Sequence, residues 1–88
     1  MIKLEITTSY YKRGEFWKES KKESKTFYDL SEAIKTFKII DPKYYINKKD
    51  LSIIETVTLI HKIDIGYKRF YKTIDPMTED IETNYKED

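Results

Sequence analysis

The 88-residue chain has no cysteine. Disulfide staples, thiolate nucleophiles and cysteine-based zinc sites are therefore excluded together, and a reducing compartment is the natural expectation. Glycine is almost as scarce, with only Gly14 and Gly66. A phosphate-cradling loop needs several glycines close together so that backbone N–H groups can approach the anion, and these two stand far apart. A nucleophile elbow needs glycines flanking a serine, and none do. His61 is the only histidine. Without a second histidine or a cysteine it has neither a ligand set nor a catalytic partner, so a structural or merely exposed role is expected. No apolar run approaches the roughly 20 residues of a membrane span. Met1-Ile2-Lys3-Leu4-Glu5 does not open a signal peptide. A cytoplasmic, non-enzymatic protein without cofactor, metal or membrane partner is the expectation. Alanine occurs once, isoleucine 13 times, and lysine outnumbers arginine 15 to 2. That usage points to an AT-rich coding sequence.

What the chain does have is rings. Eight Tyr, four Phe and Trp17 offset a modest hydrophobic share of 39%. Each buried ring removes a large apolar area from water for few rotatable bonds. Disordered chains lack such residues. A single small folded domain over residues 1–88 follows, with one thin core.

Ile2, Leu4, Ile6, Thr8 and Tyr10 alternate with more polar residues, the period of a half-buried strand. Gly14 supplies a turn, and Phe16-Trp17 open a second strand that becomes very polar and is expected to be solvated or frayed. Asp29-Leu30-Ser31-Glu32 reads as a capping box, with Leu30, Ala33, Ile34, Phe37 and Ile40 at helical spacing behind it. Asp41-Pro42 ends that helix, predicted over about residues 30–40. Tyr44 to Asp50 reads as a loop or a short edge strand guarded by Lys48 and Lys49. Ser52 to Lys62 is rich in β-branched residues and reads as a strand. A turn near Asp64 to Gly66 leads to a further strand from Tyr67 to Ile74. Asp75-Pro76 opens either a short helix or, preferred here, a β-turn followed by a strand from Ile81 to Tyr85. The fold class expected is α+β: a β-hairpin, one helix, then a β-hairpin or three-stranded meander, forming a small antiparallel sheet with the helix packed on one face.

Asp75, Glu79, Asp80 and Glu82 cluster, but Pro76 and the lack of a mid-loop glycine do not suit a calcium loop. A solvated acidic segment is expected there. The sharpest functional signal is basic–aromatic interleaving in Tyr10-Tyr11-Lys12-Arg13, in Lys43-Tyr44-Tyr45 and in Tyr67 to Lys72. On a sheet face such rings can stack unpaired bases while Lys and Arg meet phosphates. They equally suit a protein interface, since Tyr, Trp and Arg dominate hot spots. By period two only one of Phe16 and Trp17 can face the core, and the other is then an exposed ring inviting a partner.

The partner-binding residues expected are Tyr10, Tyr11, Lys12, Arg13, Trp17, Tyr67, Lys68, Arg69 and Tyr71. The leading expectation is a small interaction protein, a monomer or homodimer, that inhibits or modulates a larger protein or nucleoprotein complex. Size and AT-rich usage fit a phage or mobile-element accessory protein directed at a host defence complex. The alternative is a single-stranded nucleic-acid-binding module. The net charge of +1 conceals an asymmetry: residues 75–88 sum to −5 and the rest to +6. An acidic end could mask a basic body, or the two could meet different surfaces of one partner.

Overall fold

The computed structural model describes residues 1–46 and 51–86. Lys48 and Lys49, expected to guard an edge, lie outside the described residues, as do Glu87 and Asp88. The elements are β1 (Ile2–Lys12), β2 (Glu15–Phe27), α1 (Leu30–Ile39), β3 (Tyr44–Ile46), β4 (Leu51–Lys62), β5 (Tyr67–Ile74) and β6 (Ile81–Thr83). The chain is thus a small sheet-rich domain with one helix and one antiparallel sheet. None of its described helices is long and apolar enough to cross a membrane.

The strand order is β2-β1-β4-β5-β6. β4 is central: one edge pairs with β1 along its length, and the other is shared between β3 at Ser52–Ile54 and β5 at Thr56–Lys62. The two hairpins expected from the sequence are therefore joined through β1 and β4. β2 is solvated as expected, with every residue from Glu15 to Thr26 exposed, yet it pairs with β1 along its whole length. Its ladder to β1 holds it, where its own side chains offer no apolar face. Register shifts at Ile6/Thr7 and Tyr10/Tyr11 mark where β2 carries extra residues.

Asp29 caps α1 by accepting the Ser31 amide at 3.0 Å, from the second rather than the third helical position. Ala33 and Phe37 then share one buried cluster with Ile2, Leu4, Phe27, Val57 and Leu59. Leu4 pairs with Leu59 and Ile6 with Val57, so alternation alone delivers these side chains to one face. Tyr85 packs edge-on to Phe37 and Phe70, with centroids 5.8 and 5.3 Å apart. Described residues of the acidic end are therefore built into the fold. Asp75 N–H donates to the Asp80 carbonyl, the Asp75 carboxylate accepts the Met77 amide, and the turn so closed delivers β6 to β5. Past β6, Asn84 keeps the ladder going with its side chain. Its amide oxygen accepts from Tyr71 N–H at 2.7 Å and its amide nitrogen donates to the Arg69 carbonyl at 3.0 Å. The backbone is freed to turn Tyr85 inward.

Lys72 holds helix to sheet. It is 8% exposed, and its ammonium donates to the Phe37 and Lys38 carbonyls at 3.1 and 2.8 Å. These belong to the last turn of α1, where carbonyls lack partners and the helix dipole favours a cation. Lys72→Met keeps the length of the side chain and removes the donor. It is expected to cost about 2 kcal/mol, lowering the melting temperature by roughly 10 °C in a domain of this size. A thermal melt followed by circular dichroism reads this out, and an unchanged midpoint would show that the bond contributes nothing.

Candidate functional site

The nine sequence-selected residues fall into two groups at opposite ends of the sheet. Tyr11 lies opposite Ser52 and Tyr67 opposite Lys62, ten residues apart along β4, which is about 33 Å of strand. Period two divides them again. Tyr11, Tyr67, Arg69 and Tyr71 belong to the face away from the buried cluster, the open face, whereas Tyr10 and Lys68 belong to the face that carries it. Within the 67–72 cluster, Phe70 packs against the core and Lys72 is consumed by the helix, so the sequence cluster is wider than the surface it supplies.

At one end the β1–β2 hairpin extends past the last β1 residues that join the buried cluster. Lys12 pairs directly with Glu15, leaving a two-residue turn in which Arg13 (φ 55°) and Gly14 (φ 80°) are both left-handed. This is the pattern of a type I′ turn, whose twist matches its strands. Phe16 and Trp17 are 59% and 58% exposed, so neither faces the core. The expectation that one of them would is overturned by geometry: the buried cluster takes only Ile2, Leu4 and, at its margin, Ile6 from β1, and the register shift at Tyr10/Tyr11 breaks the alternation. Instead the rings pair with one another. Trp17 meets Tyr10 edge-on at 6.4 Å, and Phe16 meets Tyr11 at 5.9 Å. The Lys18 ammonium stands 4.7 Å from the Trp17 centroid and 4.8 Å from that of Tyr10. Such ring and cation contacts stiffen a hairpin that no core supports.

Beside this tip the open face carries an apolar trough lined by Tyr11, Ile46, Ile54, Pro76 and Met77, with Arg13 on its rim. Met77 is 85% exposed. The trough joins the hairpin, β3, β4 and the 75–80 turn, segments far apart in sequence. That is why sequence reading found Tyr11 and Arg13 but missed Phe16 as a paired ring and missed Ile46, Ile54, Pro76 and Met77 altogether. The Tyr44 hydroxyl donates to the Glu79 carboxylate and ties β3 to the turn. That bond, with some desolvation, pushes the Tyr44 hydroxyl above its ordinary pKa.

Elsewhere on the open face, Glu5 sits between Lys21 at 3.0 Å and Lys3 at 3.2 Å. The hydrogen bond from Lys21, against some desolvation, holds its carboxyl below the usual range. On the covered face, Glu55 accepts the Lys22 ammonium at 2.6 Å and the Lys43 amide at 3.1 Å, fastening β2 and the post-helix loop to β4. The Lys22 ammonium is pushed up by that bond.

Compared with protein-family models, curated proteins and solved structures, the chain matches none.

Two outcomes are expected. Arg13 occupies a left-handed position that favours Asn or Gly, at a cost of about 1 kcal/mol. Arg13→Asn should therefore stabilise the fold by roughly 0.5–1 kcal/mol in urea denaturation; a loss of stability would show that the Arg13 side chain supports the turn. For Glu5 the folded-state pKa is depressed. Its contribution is present above the unfolded-state pKa and is lost as pH falls through the folded one. Stability should decline through the acid range, and Glu5→Gln should flatten that decline; superimposable pH–stability curves would sink the assignment.

Proposed function

We propose that the chain is a non-enzymatic binding protein that inhibits or modulates a larger protein partner by occupying its surface. This reading takes α1 as the cover of one sheet face, which leaves the other face and the hairpin tip free to engage. The single observation that carries it is the apolar group at one end of the sheet: Ile46 and Met77 are exposed in the trough, Phe16 is exposed against Tyr11 of the same trough, and Trp17 is exposed on the hairpin's other side against Tyr10. Exposed apolar surface concentrated in one place, with a polar rim, marks an interaction site.

The charge of this end supports a protein partner over a nucleic acid. Residues 10–19 carry Lys12, Arg13 and Lys18 against Glu15 and Glu19. Three cations offset by two carboxylates release few counterions from a phosphate backbone. Aromatic anchors with an arginine on the rim suit a hot spot instead. The unfavourable backbone at Arg13 is consistent with that side chain being kept for a contact outside the chain. The setting this reading adopts, from size and composition, is a phage or mobile-element protein that blocks a host defence complex.

The test is capture from a host lysate with four tagged forms: the unaltered chain, Phe16→Ala with Trp17→Ala, Met77→Glu, and Tyr67→Ala. One partner should be retained by the unaltered chain and by Tyr67→Ala. The two tip variants should weaken it, by about 30-fold or more if the rings are hot spots. Equal retention by all four forms, or no partner above background, would remove the proposal.

A further inference from the structure

The opposite end of the open face is polar, basic and unlike the tip. Lys3 of β1, Ile60 of β4 and Arg69 of β5 form one rung across three strands. The next rung brings Lys62 opposite Tyr67, and these residues line one shallow depression together with Met1 and Glu5. Four cations gather here, Lys3, Lys21, Lys62 and Arg69, around the single carboxylate of Glu5. Glu5 engages Lys3 and Lys21; among the described residues, Lys62 and Arg69 have no carboxylate within 4.0 Å.

Rings stand on either side of that charge. Tyr67, Arg69 and Tyr71 alternate on β5, all facing the open side, with Tyr67 58% and Tyr71 43% exposed. From there up the sheet the open face is paved with small hydroxyl side chains: Thr58, Thr56, Thr7 and Ser9, all half-buried. No described helix covers them. The result is a track with a cationic end, two accessible rings four residues apart on β5 with Arg69 between them, and a floor of hydroxyls. Met1 and Ile60 are the non-aromatic apolar side chains lining its basic end.

We infer that this end of the open face binds single-stranded nucleic acid. Lys3, Lys62 and Arg69 would meet phosphates, and Tyr67 and Tyr71 would stack unpaired bases. A duplex keeps its base faces stacked inside and offers these rings nothing, and an acidic peptide would use the cations while leaving the rings idle. Lysine-dominated contacts, with the one guanidinium fork of Arg69 given to phosphate, make the binding tolerant of sequence. The rungs of Tyr67, Arg69 and Tyr71 stand ten, eight and six residues along β4 from that of Tyr11, about 33 to 20 Å from the hairpin tip, so variants of one leave the other intact and the two readings fail separately.

Fluorescence anisotropy with the full chain and a labelled oligothymidylate tests it, with a duplex of equal length and poly-glutamate as competitors. Binding should weaken about 20-fold between 50 and 200 mM salt, the loss for three neutralised phosphates on a single strand. Lys62→Ala with Arg69→Ala should flatten the slope of log K on log salt by about 1.4. Tyr67→Ala should lose about tenfold, and Tyr67→Phe, which keeps the ring, should bind as the unaltered chain does. Far-ultraviolet circular dichroism confirms that each variant is folded. Absence of binding at low salt overturns the inference. So does equal competition by poly-glutamate, which would make this an acidic-protein site, or preference for the duplex.

Discussion

The fold depends on a buried ammonium. Lys72 reaches from β5 through the sheet's apolar face to the carbonyls that end α1. The Phe37 ring lies 5.7 Å from the same ammonium, and Asp41 stands 4.0 Å off at the surface. The carbonyls matter most, because Asp41 is exposed and a long surface ion pair contributes little. This one side chain ties the last turn of α1 to β5, next to Phe37, which enters the core from the same helix as Ala33. Tyr85 closes the same corner from β6. Helix, central sheet and acidic end thus meet at one point, and the rest of the sheet extends away from it with less support.

Local structure was legible in the chain wherever its cause was local. The helix follows Asp29 and stops before Pro42, as cap and breaker chemistry require. The strands appear where residues alternate, the turns at Gly14, Gly66 and Asp75-Pro76. What could not be read was anything whose partner sits far along the chain. Lys72 looked like one more lysine among rings, because its carbonyl partners are 34 and 35 residues away. β4 was visible as a strand, but nothing nearby says that it joins β1. The apolar trough at the tip is assembled from four separate segments and leaves no mark in any of them. Trp17 was singled out, but for a reason the structure replaces: the extra residues in β2 put both rings outside.

The sheet has two long margins and treats them differently. β2 is an edge strand of 13 residues, long enough to invite another strand. Its alternating lysines and glutamates, with two breaks in register, make its outer edge awkward to pair. At the opposite margin β6 is short, and Asn84 extends it by donating and accepting as a backbone amide would. Charge and irregularity guard one side, and a side-chain mimic of the peptide group finishes the other.

The β1–β4 pairing also bears on how the chain is made. Lys12 pairs with Leu51 and Ile2 with His61, so β1 waits for its partner across 39 to 59 residues. At translation speeds of about 5–20 residues per second, that is a delay of a few seconds. During it, the apolar face of Ile2, Leu4 and Ile6 has only β2 and the new α1 to meet. The same lysines and glutamates that leave β2 without an apolar face keep the nascent hairpin hydrated and repel passing strands. A polarity that contributes little to the finished core protects the half-built sheet.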